Sequence, residues 1–304
     1  MQKMDLPYGV LDNIELLAKQ IVEGFLIGLH KSPFHGFSVE FAEHRLYNAG
    51  ESVKHIDWKV FGRTDKMFVK KYEEETNLRC QIILDVSGSM YFPNEGTQLN
   101  KLQFACLASA CLQYIVKRQR DAFGLCTFST EIEKYYPAKS AANQQAIIGH
   151  ELTTLYNSAH SQRLSNLTTI IEQMAEVVHQ RSLVLVLSDF LEGADDIQRE
   201  KLMRAIQHLR FKKHEVVFVD VFDSKLEDEL NLENRPYQLV DLETGAKIKL
   251  HPAEVRDQYK LAVKEYKDRF IEIARQNKMD VVRLDIRQPF THSFLPYFWQ
   301  RLRK

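Results

Sequence analysis

The run Leu183-Val-Leu-Val-Leu187 is apolar at every position, where a strand with one face in water would alternate. A strand of this kind has to be covered on both faces. It stands inside a regular succession of elements. Leu78 to Val86 reads as a strand, Leu99 to Arg118 as a long helix, Ala122 to Ser129 as a strand, and Gln144 to Tyr156 and Leu167 to His179 as helices. After the apolar run, Ile197 to Leu209 reads as a helix and Glu215 to Phe222 as a strand. Strands that alternate with helices and are apolar almost throughout predict a doubly wound α/β fold, with a mostly parallel sheet and helices on both faces.

The flanks read differently. Ile14, Leu17, Ile21, Phe25 and Leu29 recur at the three- to four-residue steps of an amphipathic helix. Lys31 to Phe37 is a loop, and Phe41 to Tyr47 and Met67 to Tyr72 look like strands around a polar middle. Residues 1–77 are therefore expected to form a small helix and β-hairpin appendage, and residues 78–304 the α/β domain. The total length fits this division, or two domains at ~150 residues each. Beyond a polar stretch from Asp223 to Arg235, Tyr237 to Leu242 and Lys247 to Leu250 form a predicted hairpin around Glu243-Thr-Gly-Ala. Pro252 opens a last long helix to about Gln276, and Asp280 to Asp285 closes as a strand.

Charge balance narrows the function. There are 41 Lys and Arg against 41 Asp and Glu, which argues against a surface built to neutralise nucleic-acid phosphates or anionic lipid. The N-terminus lacks the apolar core of a signal peptide and no apolar run is long enough to span a bilayer, so a cytoplasmic location without a membrane span is expected. Cys80, Cys106, Cys111 and Cys126 form no C-x-x-C pair and read as small hydrophobes kept reduced.

Chemistry concentrates directly after Gln81-Ile-Ile-Leu, in Asp85-Val-Ser-Gly-Ser-Met90. This places a carboxylate and two hydroxyls at alternate positions at the carboxyl end of a strand, the edge of an open α/β sheet where ligands bind. Alternate side chains in an extended turn face one way, so Asp85, Ser87 and Ser89 can converge while Gly88 allows a sharp turn. Mg²⁺ takes oxygen ligands, keeps several waters and commonly uses one or two carboxylates, so it fits such a set best, with Mn²⁺ or Ca²⁺ as alternatives. The apolar strand Leu183 to Leu187 ends in Ser188-Asp189, which brings a second carboxylate, Asp189, to the same edge, where it would complete the site directly or through water.

At these residues the chain resembles the von Willebrand factor type A fold and its metal-ion-dependent adhesion site. That site uses D-x-S-x-S, a threonine from a later loop and an aspartate after a further strand. Asp85, Ser87, Ser89 and Asp189 match in type and order, and Ser165 in Arg163-Leu-Ser-Asn-Leu-Thr-Thr169 stands where the family has threonine. Serine keeps the hydroxyl but loses the methyl that stiffens the rotamer; Thr168 and Thr169 are fallback donors. The segments Arg45-Leu-Tyr-Asn-Ala-Gly-Glu-Ser-Val-Lys-His-Ile-Asp-Trp-Lys59, Arg63-Thr-Asp and Phe68 to Glu75 further resemble the signature of the bacterial domain-of-unknown-function fifty-eight family, with Glu51 where aspartate is usual. Within that signature Arg45, Tyr47, Gly50, His55, Asp57, Trp58, Lys59 and Arg63 are expected to be structural, although His55 and Asp57 also have the spacing of an acid/base or ligand pair. The resemblance implies a protein partner, a MoxR-type AAA+ ATPase or its client, for which this chain would act as an adaptor.

Two functions of different class follow. One is a cation-dependent recognition module, the cation keeping a position open for a partner's acidic side chain. The other is a metal-dependent phosphoester hydrolase using the same ion, against which stands the lack of a P-loop, an H-E-x-x-H or a G-x-S-x-G motif. A metal-free scaffold held by serine–aspartate hydrogen bonds is a third reading.

Overall fold

The computed structural model describes residues 14–30, 44–46, 61–63, 68–70, 78–94, 99–191, 196–290, 292 and 294–301. The chain divides into two compact units, one formed by residues 1–27 with 78–304 and the other by residues 28–77. In the smaller unit, strand β1 (His44–Leu46) pairs antiparallel with β2 (Phe68–Lys70), Arg45 standing opposite Val69. Arg63 closes a single helical turn at 61–63. Tyr47, Gly50, His55, Asp57, Trp58 and Lys59 lie outside the described residues, as does the loop beginning at Lys31.

The larger unit is a mixed α/β body around one six-stranded sheet. Its strands are β3 (Arg79–Asp85), β4 (Ala122–Phe128), β5 (Ile132–Lys139), β6 (Leu183–Ser188), β7 (Glu215–Phe222) and, after a separate hairpin of β8 (Tyr237–Val240) and β9 (Lys247–Leu250), β10 (Asp280–Asp285). The order across the sheet is β10-β7-β6-β3-β4-β5. Only β5 runs antiparallel to its neighbour; the other four pairings are parallel.

The apolar pattern of the central strands explains the layering. Ile82 and Leu84 of β3, Leu183, Leu185 and Leu187 of β6, and Val217, Val219 and Val221 of β7 point into one core. Helices α1 (Ile14–His30), α2 (Lys101–Arg118), α3 (Ala142–Tyr156) and, at the C-terminal end, α7 (Phe294–Arg301) cover it. The intervening Ile83, Val184, Val186, Val216 and Phe218 point into a second core, covered by α4 (Leu167–Val177), α5 (Asp196–Phe211) and α6 (Pro252–Gln276). Complete burial of each such side chain contributes about 1.5–3 kcal/mol, which makes alternation between two apolar faces stable where one wet face would not be.

Helix α1 adds the buried side chains of Ile14, Leu17, Ala18, Ile21 and Val22 to the first core. The aromatic segment near the C-terminus also turns inward: Phe290 stacks on Phe104 of α2 with centroids 4.1 Å apart, and Phe294 and Phe298 are buried. Helix α2 begins with a reciprocal cap in which Asn100 Oδ1 accepts from the Gln103 amide at 2.8 Å and the Asn100 amide donates to Gln103 Oε1 at 3.1 Å.

The sequence pattern predicts no strand at Ile132–Lys139, where the structure has one. Half of its residues are exposed, it carries Pro137, and it occupies the sheet edge, where proline and charge are tolerated.

Candidate functional site

From β3 the chain runs to β4 and β5 on one side, then returns to add β6, β7 and β10 on the other. Strand order therefore reverses between β3 and β6, and the crevice beyond their carboxyl ends is the place where open α/β sheets hold ligands. Asp85 ends β3 and Ser188 ends β6, so both stand at this crevice.

Asp85 is 1% exposed. One carboxylate oxygen accepts from the Ser87 amide at 2.9 Å; the other accepts from the Ser188 hydroxyl at 2.7 Å and the Ser165 hydroxyl at 3.3 Å. The Ser87 and Ser89 hydroxyls are 3.2 Å apart. A turn of 3₁₀ helix, Gly88–Tyr91, follows Ser87, and the Gly88 amide donates to the Arg163 carbonyl at 2.8 Å, fastening this loop to the one that carries Ser165. Asn166, the next residue, caps α4 through the Thr169 amide at 3.3 Å. Ser165 thus stands in the loop, whereas Thr168 and Thr169 lie within the helix.

Asp189 follows Ser188 and is also buried. Its Oδ2 accepts from Lys101 Nζ at 2.8 Å, and Lys101 Nζ also donates to Glu227 Oε1 at 2.5 Å. Lys101 is 1% exposed, a buried ammonium clamped between two carboxylates. Glu227 lies on a π-helical turn, Ser224–Asp228, and its other oxygen accepts from the Asp223 amide at 2.8 Å. A further carboxyl arrives from the β8–β9 turn, where Glu243 Oε2 accepts from the Ser165 amide at 3.4 Å.

The two aspartates behave differently. Burial, reinforced by the charge of Asp189, pushes Asp85 up to about 7 in spite of its bonds from Ser87 and Ser188. Burial also acts on Asp189, but the Lys101 ammonium, with Ser89 and the Leu191 amide, outweighs it and holds Asp189 below the usual carboxylate range. Asp85 is held by hydroxyls and an amide, and Lys101 serves Asp189 and Glu227. A buried carboxylate without a counter-charge is costly, and a hard divalent ion would supply that charge. The donors offered, hydroxyl and carboxylate oxygens, fit such an ion. Among the described residues no group of three or more His, Cys, Asp and Glu side chains is arranged to hold a metal; here serine hydroxyls make up most of the donor set.

The structure brings together all five residues expected at the site, Asp85, Ser87, Ser89, Ser165 and Asp189. Sequence reasoning missed Ser188 as a partner of Asp85, and missed Lys101, Glu227 and Glu243. Ser188 was within reach, since it directly precedes Asp189 at a strand end; the other three arrive through tertiary packing and carry no local signal.

Fold and site define a doubly wound α/β protein with an oxygen-rich cluster at its switch point. The chain belongs to the family described as protein of unknown function DUF58, whose model matches residues 43–269. Among curated proteins it is similar to uncharacterized proteins of Mycobacterium bovis and Mycobacterium tuberculosis, 26% identical over 218 residues, which are 71% of this chain and 65% of each relative. The chain thus spans just under two thirds of the length of those relatives. Among solved structures it is similar to the conserved hypothetical protein BatB from Bacteroides thetaiotaomicron, at 18% identity and a TM-score of 0.41, covering 68% of this chain and 90% of that one. An aerotolerance-related membrane protein from Bacteroides fragilis matches at 15% identity and a TM-score of 0.43, covering 68% and 92%. No helix among the described residues of the present chain is long and apolar enough to cross a membrane.

Proposed function

We propose that the chain is a divalent-cation-dependent protein–protein recognition module of the von Willebrand factor type A-like kind. Asp85, Ser87, Ser89 and Ser165 would hold Mg²⁺, and Asp189 would act directly or through water. When bound, the ion supplies a positive centre able to receive an acidic side chain of a partner. The observation that carries this reading is Asp85: a carboxylate 1% exposed, ringed by hydroxyls at a switch-point crevice. Lys101 keeps Asp189 ionised, and the Gly88–Arg163 backbone bond holds the two hydroxyl-bearing loops in register. The family resemblance adds the expected partner, a MoxR-type AAA+ ATPase or its client, with this chain as adaptor.

A metal-free scaffold is the second reading, favoured by the hydrogen bonds that Ser188 and Ser165 make to the same Asp85 oxygen. Isothermal titration with Mg²⁺ and Mn²⁺ separates the two. Saturable binding that disappears in Asp85→Ala is expected, whereas heats equal to buffer in the wild type would leave the scaffold. The hydrolase reading would require phosphoester turnover by the wild type that is lost in the same variant.

A further inference from the structure

The hairpin of β8 and β9 is folded so that its tip meets the D-x-S-x-S loop. Its turn is tightly specified: the Asp241 amide donates to the Ala246 carbonyl at 2.8 Å, and the Gly245 amide to the Asp241 carbonyl at 2.9 Å. The Asp241 side chain accepts from the Glu243 amide at 2.8 Å and from the Thr244 hydroxyl at 2.5 Å. Gly245 takes a φ of 73°, a left-handed conformation that suits glycine. A turn fixed at both ends in this way presents its middle residues in one orientation.

Those middle residues press on the oxygen cluster. A Cβ placed on Gly88 would stand 2.5 Å from the Leu242 carbonyl oxygen and 3.3 Å from the Glu243 Cα, so a glycine at this position is what lets the tip approach. Glu243 is half-buried there. Its Oε2 accepts from the Ser165 amide at 3.4 Å, and the Ser89 hydroxyl helps to lower both its carboxyl and that of Asp189. A further carboxylate therefore stands against two of the hydroxyl-bearing residues near Asp85, delivered from far along the chain by a rigid turn.

We propose that Glu243 is the chain's own acidic ligand for the cation site, supplying the carboxylate that a partner would otherwise supply, so that an acidic partner must displace the hairpin tip in order to bind. This rests on the cation reading above. The geometry favours it because the tip touches the loop through backbone at Gly88 as well as through the carboxyl, which makes the approach a built contact of the fold.

Mn²⁺ serves as the probe, titrated into the full chain as wild type, Glu243→Ala, Glu243→Gln and Asp85→Ala, with affinity read by electron paramagnetic resonance of the free ion and inner-sphere water by proton relaxation. Glu243 lies on a half-buried turn rather than in the core, and circular dichroism checks that each variant is folded. In Glu243→Ala we expect Mn²⁺ affinity to fall by about tenfold or more, since loss of even an outer-shell partner costs about 10–100-fold. The bound ion should also relax water protons faster than in the wild type, because water replaces the lost carboxylate. Equal or tighter Mn²⁺ binding and equal relaxation in Glu243→Ala, with binding abolished only by Asp85→Ala, would overturn the assignment of Glu243 and leave the cation reading intact. Failure of both the wild type and Glu243→Ala to bind Mn²⁺ would overturn the cation reading and this assignment with it.

Discussion

Lys101 is the residue on which the charge balance of the crevice turns. It faces Asp189 at 2.8 Å and Glu227 at 2.5 Å while 1% exposed, so deleting its charge leaves two carboxylates facing each other in a buried site. Lys101→Met is expected to lower unfolding stability by about 3–5 kcal/mol, the usual consequence of removing one member of a buried ion pair. Urea denaturation measures this, and a loss below about 1 kcal/mol would mean that the carboxylates find another partner or take up protons without strain. At this scale the legibility of the sequence was uneven. Asp85, Ser87 and Ser89 stand at alternate positions of one short segment, so their grouping is legible there, although Ser89 lies in a 3₁₀ turn and not in the extended turn expected; Asp189 was found because a strand with an obvious apolar pattern ends there. Lys101 opens a helix and looks like any lysine at a helix start, and Glu243 looks like any turn residue. Their roles depend on which segments the fold brings together.

At the scale of elements, strand β5 depends on a single glycine of its neighbour. A Cβ on Gly124 of β4 would meet the Ala138 amide nitrogen at 2.6 Å and the Tyr136 carbonyl oxygen at 2.7 Å, both backbone atoms of β5, at the place where the register between these strands shifts. Gly124→Ala should therefore displace β5 and cost about 1–3 kcal/mol, in the range of other overpacked substitutions. Chemical denaturation gives the cost. Amide exchange would show the loosening concentrated in Ile132–Lys139, and uniform loosening of the whole sheet would contradict the local account. The same strand shows where element reading fails. Helices with a clear apolar period and strands buried on both faces were legible to within a few residues, as at Leu183–Ser188 and Glu215–Phe222, and so was the partly buried edge strand Asp280–Asp285, whose apolar residues still mark it. A half-exposed edge strand with charges and a proline gives neither signal, because solvent, not packing, surrounds much of it.

Across the whole molecule, the alternation of strand and helix was sufficient to expect a mostly parallel, doubly covered sheet, since apolar strands of this kind have no other stable surroundings. The larger unit recruits residues 1–27 as well as 78–304, a grouping carried by the buried face of α1. A ligand that binds the folded state alone stabilises all of it: at a free cation concentration about 100 times Kd the gain is about 2.7 kcal/mol. Mg²⁺ should therefore raise the melting temperature of the wild type and leave that of Asp85→Ala unchanged, as calorimetry can record; an equal rise in both would place the ion elsewhere. The hydrogen bonds to Asp85 also have a bearing on biosynthesis. They join positions 80 and 103 residues apart, and the β8–β9 tip that touches Gly88 emerges later still. A ribosome-bound chain that has completed β3 holds the D-x-S-x-S segment without the groups that surround it, and acquires them only as β6 and then the hairpin leave the exit tunnel. The cluster thus has all its parts only once the hairpin has emerged, and truncated products that end before β8 retain Asp85 without the carboxyl and backbone that the hairpin tip brings to it.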